Sequence, residues 1–438
     1  MSFFKDLATP HPPGRRYRRG SNASSLLVVL ALCLCLPAVA QQKGVPDAAT
    51  QQLQQLLDTQ HAAIESGDPV QVASTSQKLI ELASQQFSAV STSLKEPRRT
   101  AAESGQLKIR ERQLRQILST SFNDWGTAEA RQQQYQQALV HFQQGEKWDA
   151  ATPGLMRNLG TAAFRVENYA ESARALKIAV DQNPGQNPDD QRTRLMLAIS
   201  LFSIEKFADA ANQFAPIGEL ALQDTRTAYA WAYSLARTSQ QQHANEIADN
   251  LAARDLPPDT HLLVCKLYTA TENYAHALPC LQKIAAQNPT MLNVHYEIGT
   301  TLIHMDRPAE AIPELRSELS MNADDVDAQY NLAYALLETL GREEALALLR
   351  SLIAKAPNYS QAQYQLGKAL LEDGKVVESI PYLETATKLD PSYDYAHYQL
   401  QIAYRRAGRI DDANRELEVY KEIKANSRGT GAAHDSHP

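Results

Sequence analysis

The sequence is poor in the residues and motifs that carry chemistry. It contains only four Cys, and Cys33 and Cys35 lie near the N-terminus. Beyond residue 40 there is no His-Glu-x-x-His, no Gly-x-Ser-x-Gly, no Gly-rich phosphate loop and no cysteine pair with zinc spacing. Four histidines lack the short spacing of metal ligands: His261, His276, His295 and His304. We therefore expect no enzymatic activity, no cofactor and no metal.

The sequence also has little positive charge. Its net charge is −7 at pH 7, and the segment 1–40 holds five Lys or Arg against one Asp. The remainder of the chain contains 38 basic and 49 acidic side chains, a net charge of −11. Because neutralising phosphates requires a positive surface, this composition argues against nucleic acid as a partner.

An apolar run near the N-terminus is too short to span a membrane comfortably. It extends from Leu26 to Leu36 and follows a basic stretch from Arg15 to Arg19. Ala38-Val39-Ala40 then supplies a small-x-small cleavage pattern. We predict a signal peptide over residues 1–40, cleaved after Ala40, and a bacterial protein that is periplasmic or secreted. An uncleaved anchor is the alternative.

A sequence pattern recurs along most of the chain. Gln329-Tyr-Asn-Leu-Ala-Tyr-Ala-Leu-Leu is echoed by Gln363-Tyr-Gln-Leu-Gly-Lys-Ala-Leu-Leu. A bulky apolar residue marks each copy of the pattern, and six of the eight intervals between copies are identical. This bulky column consists of Trp125, Leu159, Leu197, Trp231, Val264, Ile298, Leu332, Leu366 and Leu400. A fixed period of about 34 residues predicts stacked helical hairpins.

Small residues recur at two further positions of each copy. One directly follows the bulky residue, except at Gln401, and this column consists of Gly126, Gly160, Ala198, Ala232, Cys265, Gly299, Ala333 and Gly367. The other lies thirteen positions beyond the bulky residue and consists of Ala138, Ser172, Ala210, Ala244, Ala277, Ala311, Ala345, Ser379 and Ala413. Small residues at both positions predict two antiparallel helices that approach closely.

These residues resemble the tetratricopeptide repeat family. The resemblance implies an all-α, right-handed superhelical solenoid of about nine hairpins over residues 119–425. Units are predicted to start near residues 119, 153, 191, 225, 258, 292, 326, 360 and 394. One interval is longer than the others by four positions, and the extra length is placed in a loop at residues 183–190.

Two segments flank the predicted array. Residues 41–118 are predicted to form a helical N-terminal module, either a divergent hairpin that caps the array or a coiled-coil-like assembly segment. The tail, residues 426–438, is mostly Gly, Ala, Ser and His without periodicity, and we expect it to be disordered.

The resemblance also implies where partners bind. In this family, the concave face formed by the first helices usually takes extended peptides or partner helices. The candidate ligand-binding residues on that face are Tyr229, Tyr233, Tyr296, Tyr330, Tyr334, Tyr364, Lys368 and Tyr398. Tyr combines a rigid apolar ring with a polar tip, which suits peptide and sugar surfaces. The alternative is that these rings pack between neighbouring first helices.

Two further features have less support. Some family members capture a C-terminal carboxylate with Asn and basic residues of adjacent first helices. Here Asn158, Asn331, Arg157 and Arg165 do not form matching pairs. The other feature is Cys265 and Cys280, which lie in one hairpin; we expect two buried free thiols, with a disulfide as the alternative in an oxidising compartment.

The sequence therefore favours a non-catalytic scaffold or adaptor of the bacterial cell envelope that binds other proteins or peptides. A periplasmic scaffold for polysaccharide export or envelope assembly is a second hypothesis. An enzyme with a site in residues 41–118, built from His61, Glu65, Asp68 and Glu81, is a remote third.

Overall fold

The structure, a computed structural model, is all-α. It describes residues 48–97, 100–185 and 187–430, with side chains up to residue 426, and these residues contain no strand. The predicted signal peptide and residues 431–438 of the predicted tail lie outside this range. Residues 426–430 continue the last helix. Among the described residues, no helix is both long and apolar enough to cross a bilayer.

The chain divides into two compact units, the first ending at Ile247 and the second beginning at Ala248. The first contains α1 (Ala48–Ser66), α2 (Pro69–Leu94), α3 (Ala101–Arg131), α4 (Tyr135–Trp148), α5 (Leu155–Arg165), α6 (Tyr169–Gln182), α7 (Pro188–Ser203), α8 (Phe207–Phe214), α9 (Gly218–Ala221), α10 (Thr225–Ala236) and the start of α11 (Gln241–Ala252). A 3₁₀ turn, Ala215–Ile217, separates α8 from α9.

The second compact unit contains the end of α11 and ten further helices. These are α12 (Pro258–Ala270), α13 (Tyr274–Gln287), α14 (Val294–His304), α15 (Pro308–Met321), α16 (Val326–Leu337), α17 (Arg342–Lys355), α18 (Ser360–Glu372), α19 (Val376–Leu389), α20 (Asp394–Arg406) and α21 (Ile410–Thr430). Within the described residues, α3 to α21 form nine hairpins.

The N-terminal module is helical and continuous with the first hairpin. Helix α3 begins with a capping box between Thr100 and Glu103 and continues past the predicted boundary at residues 118/119. Residues 107–131 contain no Pro that would end it. Its first half packs with α1 and α2 around a core of Leu53, Leu79, Ala83, Leu114, Ile117 and Leu118. Its second half is the first helix of the first hairpin.

Five helices begin where units are predicted to start, and Asp224 and Asp325 cap two of them. Helices begin at Thr225, Pro258, Val326, Ser360 and Asp394, where units are predicted to start. For example, the carboxylate of Asp325 accepts hydrogen bonds from the backbone N–H groups of Asp327 and Ala328 at the start of α16.

The insertion differs from its prediction. Helix α6 ends at Gln182, and α7 begins early, at Pro188, with Asn187 as its cap. The first turn of α7 therefore takes up part of the extra length that was predicted to lie in a loop.

Close packing of each hairpin confirms the small columns. Every residue of the second-helix column is fully buried, from Ala138 to Ala413. At Gly160, Gly299 and Gly367, an added Cβ would lie 2.5 to 2.6 Å from the Cγ of Leu176, Leu315 and Leu383, respectively. A side chain there would push the two helices apart, so glycine is required by the approach of the helices.

The turns inside the hairpins share a left-handed backbone conformation that the residue types do not predict. The residue eight positions after the bulky one has a positive φ, between 57° and 79°, in eight hairpins. This column consists of Gln133, Glu167, Glu205, Ser239, Glu272, Asp306, Gly374 and Gly408. Only the last two are glycines, so the turn geometry prevails over the usual preference of the side chain. The seventh hairpin is the exception, and its Leu340 is fully exposed.

Cys265 and Cys280 form a disulfide in the fifth hairpin, instead of the two free thiols that we expect from the sequence. It joins α12 to α13 with the Cα atoms 5.6 Å apart. The small column brings α12 close to α13, which places Cys280 within reach of Cys265.

Candidate functional site

The candidate site is an open pocket in the second compact unit, between the first helices of the sixth and seventh hairpins. It has a volume of about 220 Å³. The residues that line it are Tyr296, Thr300, Ile303, His304, Tyr330, Asn331, Tyr334, Tyr359 and Gln361. They come from α14, α16, the turn before α18 and the first turn of α18. We call this the tyrosine pocket.

Helical spacing places these side chains on one face. Tyr296, Thr300 and Ile303 recur at intervals of four and three residues along α14, and Tyr330 and Tyr334 are four residues apart on α16. The bulky residues Ile298 and Leu332 point instead into the hairpins and are buried. The pocket is thus lined by first-helix positions that do not face the second helix of their own hairpin.

Polar contacts fix the walls of the pocket. The Asn331 side-chain amide donates a hydrogen bond to the Thr300 hydroxyl at 3.0 Å. The Tyr359 hydroxyl donates to a carboxylate oxygen of Asp327 at 2.7 Å. The rings of Tyr330 and Tyr359 lie 5.5 Å apart between centroids. The pocket is therefore largely preformed, which lowers the cost of ordering it around a ligand.

The tyrosine hydroxyls of the pocket stay protonated at neutral pH. Burial raises the pKa of Tyr330 to about 12. Burial also raises the pKa of Tyr296, with a further rise from Asp327, and that of Tyr334, with a further rise from Glu338. These hydroxyls can donate and accept hydrogen bonds but carry no charge.

The predicted ligand-binding residues have unequal exposure. Tyr296 and Tyr334 are half-buried in the pocket, whereas Tyr330, at 8% exposure, forms its floor. Tyr364 is 6% exposed and packs on Tyr393, with ring centroids 4.8 Å apart. Tyr330 and Tyr364 are thus surrounded as expected if the rings pack between neighbouring first helices. Ligand contact remains a prediction for all of these residues.

Two predicted residues lie beyond the pocket in the second compact unit. Lys368 is half-buried on α18 and does not line the pocket. Tyr398 is 41% exposed on α20, and its ring lies 5.3 Å from that of Tyr420 on α21. They share the helix face of the pocket residues but not the pocket.

Tyr229 and Tyr233 lie in the first compact unit, on α10. Their rings stack at 5.9 Å. The ring of Tyr233 also lies 5.9 Å from that of Phe202 and 5.5 Å from that of Phe207. Neighbouring aromatic side chains thus occupy the space beside Tyr233.

The residues considered for a carboxylate clamp have structural partners instead. Arg157 pairs with Asp190 at 2.8 Å. The Asn158 amide donates to the side-chain oxygen of Asn123 at 2.9 Å, and the Arg165 guanidinium lies 5.4 Å from the ring centre of Tyr135. Each of these three groups thus contacts a neighbouring side chain.

The candidate catalytic groups of the N-terminal module also have local roles. His61 lies 3.4 Å from Glu65 one helical turn away, Asp68 caps α2, and Glu81 accepts a hydrogen bond from Gln77. Within the described residues, no group of three or more His, Cys, Asp or Glu is arranged to hold a metal ion.

Sequence reasoning missed Tyr359, which forms one wall of the pocket. It lies in the turn before α18, outside the first-helix stripe from which the candidates are taken. A signal was present, because Tyr359 and Tyr393 follow the prolines Pro357 and Pro391 at the same distance, one repeat apart. Turn residues that recur with the repeat period can thus extend a helix-borne site.

A match to a family profile agrees with the repeat pattern. A sequence profile described as tetratricopeptide repeat matches residues 157–216, 296–344 and 341–394. A crystal structure of MamA protein is 19% identical over 40% of this chain and 97% of its own, with a TM-score of 0.35. YrrB, described as a TPR protein with an unusual peptide-binding site, is 19% identical over 39% of this chain and 87% of its own, with a TM-score of 0.34. No curated protein was found to match in sequence.

Proposed function

This chain is a tetratricopeptide repeat protein, and from that premise we propose that it is a non-catalytic scaffold that binds a segment of another protein in the tyrosine pocket. The observation that carries the proposal is the pocket itself. It is preformed, six of its nine lining residues are aromatic or aliphatic, and Asn331 and Gln361 add a few polar groups. This combination is typical of sites that bind peptides or small molecules.

We further propose that the protein acts in the bacterial cell envelope. The basic leader, the short apolar run and the Ala38-Val39-Ala40 pattern support export. The Cys265–Cys280 disulfide is compatible with an oxidising compartment. Fractionation followed by N-terminal sequencing tests this: we expect periplasmic or secreted protein beginning at Gln41, and cytoplasmic protein beginning at Met1 would contradict it.

Capture from envelope extract tests the scaffold proposal. The full mature protein is immobilised, and the proteins it retains are compared with those retained by Tyr334→Leu and Tyr296→Leu variants. We expect a specific set of proteins to be lost with both variants. Tyr382→Leu, which changes a half-buried tyrosine outside the pocket, is the matched control and should retain them.

Two results would contradict the proposal. One is a retained set that is the same for wild type and both pocket variants, since binding would then lie elsewhere. The other is turnover of an envelope substrate by the purified protein.

A glycan scaffold is the second candidate, because tyrosine faces with adjacent amides also suit sugars. Retention of envelope polysaccharide in place of protein, lost with Tyr334→Leu, would favour it.

A further inference from the structure

The ionised groups that act on the pocket tyrosines are acidic. Asp306, Asp327 and Glu338 are exposed, and each raises the pKa of a pocket tyrosine hydroxyl through its negative charge. Asp325, at the start of α16, acts on Tyr296 in the same direction. An incoming anion would be repelled by this negative field, and an incoming cation would be attracted.

Two basic side chains on flanking segments are engaged in ion pairs. Lys266 on α12 pairs with Glu297 at 2.5 Å, and Glu297 is 7% exposed. Lys355, at the end of α17, pairs with Asp324 at 3.1 Å. These pairs neutralise two other carboxylates. Asp327 accepts a hydrogen bond from the pocket residue Tyr359, Asp306 follows the pocket residue His304 by two positions, and Glu338 lies one helical turn beyond Tyr334; we call these three the acidic rim of the pocket.

The lining itself suits a cation. Four tyrosine rings surround the cavity, and the rings of Tyr330 and Tyr359 lie 5.5 Å apart. The ring of His304, which also lines the pocket, stacks on that of Tyr274. The face of an aromatic ring attracts a cation within about 6 Å of its centre, and aromatic cages are a recurrent means of holding ammonium groups.

We propose that the tyrosine pocket recognises the cationic side chain of a Lys or Arg in an extended partner segment. This inference rests on the proposed scaffold function and specifies the chemistry of its partner. The aliphatic stem of the side chain would pack between Tyr296 and Tyr334, and its charge would lie near the acidic rim. The net charge of −11 outside the leader also favours a basic partner.

Selection from a phage-displayed library of random ten-residue peptides on the full mature protein tests the proposal. We expect the selected peptides to share a Lys or Arg at a fixed position. The best peptide is then synthesised with that residue, with norleucine and with Glu, and its affinity is measured by calorimetry. We expect norleucine to weaken binding by about five- to thirty-fold and Glu to weaken it more.

Variants of the protein localise the effect. Tyr334→Leu should weaken the basic peptide strongly, and Asp306→Asn with Glu338→Gln should weaken it and reduce its salt dependence. The matched control Tyr382→Leu should leave binding unchanged, and circular dichroism checks that each variant is folded.

The outcomes separate this inference from the scaffold proposal. Selected peptides without a shared basic residue, or a norleucine peptide that binds as well as the basic one, would overturn the proposed recognition of a cation. If binding of those peptides still depended on the pocket residues, the scaffold proposal would stand. Peptide binding that is unchanged in the Tyr334→Leu variant, or a library from which no peptide is enriched, would count against both the cation proposal and the scaffold proposal.

Discussion

Two tyrosine pairs at matching repeat positions have different surroundings. In the first compact unit, Tyr229 and Tyr233 lie two residues before and two after the bulky Trp231. In the second compact unit, Tyr330 and Tyr334 lie at the same distances from Leu332. Beside Tyr233, the rings of Phe202 and Phe207 occupy the neighbouring space. At the repeat positions of Phe202 and Phe207, the hairpin that precedes Tyr330 and Tyr334 instead carries Ile303 and Pro308, and an open pocket remains.

The difference shows that a repeat column does not by itself define a binding site. The backbone positions are equivalent, but what they form depends on the side chain that the preceding hairpin contributes. Aromatic neighbours make the column part of the packing, whereas the non-aromatic Ile303 and Pro308 leave an open pocket beside it.

Replacing the floor of the pocket should affect the fold, and replacing its wall should affect binding. Tyr330→Ala removes a ring that is 8% exposed, and we expect the free energy of unfolding to fall by about 3–5 kcal/mol. Tyr334→Ala, at a half-buried ring, should change it by about 1 kcal/mol or less while still impairing binding. Urea denaturation of both variants measures this, and equal losses of stability would remove the distinction between floor and wall.

The second compact unit should be the one that responds to reduction. The Cys265–Cys280 disulfide has a sequence separation of 15 residues, for which chain entropy predicts a contribution of about 3 kcal/mol. Reductant, or the Cys265→Ala/Cys280→Ala variant, should increase hydrogen exchange in residues 258–287. Residues 155–182 of the second hairpin serve as the internal control. Unchanged exchange at 258–287 would contradict the prediction.

The first compact unit should be the one that responds to pH. An Asp124 carboxylate oxygen on α3 accepts a hydrogen bond from the Gln60 amide of α1 at 3.3 Å, and burial raises the pKa of Asp124 to about 7. Between pH 4 and 7 the unfolded chain releases this proton more readily than the folded one, so the folded unit loses stability as pH rises through this range.

The Asp124→Asn variant removes that penalty. It should raise the free energy of unfolding at pH 8 by on the order of 1–3 kcal/mol and have little effect at pH 4. Denaturation at both pH values measures this. A gain that is the same at both pH values would contradict the role of ionisation.

Filling the pocket should make the second unit resemble the first. Thr300 lines the pocket together with Tyr330 and Tyr334, so Thr300→Phe fills the space beside them with a ring. We expect affinity for the selected peptide to fall by about tenfold or more, equivalent to about 1.4 kcal/mol, with helicity retained. Thr385→Phe on α19 is the matched control. Full affinity in Thr300→Phe would show that the peptide binds outside the pocket.

The hairpin architecture could be predicted from the sequence because packing repeats. Small residues, such as Gly299 facing Leu315, allow the two helices of a hairpin to approach, and they therefore recur at a fixed period in every unit but the last, where Gln401 takes one of the two positions. Helix starts were also predictable, since Asp325 and Pro258 are common residues at such positions.

Other features could not be predicted because they depend on three-dimensional register or on turns. Glu272 and Asp306 adopt positive φ although their residue types do not require it, so the turn column carries no glycine signal in most units. The Cys265–Cys280 bridge depends on how α12 faces α13, which sequence spacing leaves open. Tyr359 was missed because it belongs to a turn, and the pocket depends on its wall as much as on the helices.

The most direct test of the account is to map where the selected peptide lies on the intact protein. A benzophenone photo-crosslinker is placed next to the shared Lys or Arg of the selected peptide, and the crosslinked sites on the protein are identified by mass spectrometry. We predict crosslinks in residues 296–304, 330–334 and 359–361, which line the tyrosine pocket. Crosslinks concentrated in residues 202–233 of the first compact unit would contradict the central claim that the pocket of the second unit is the binding site.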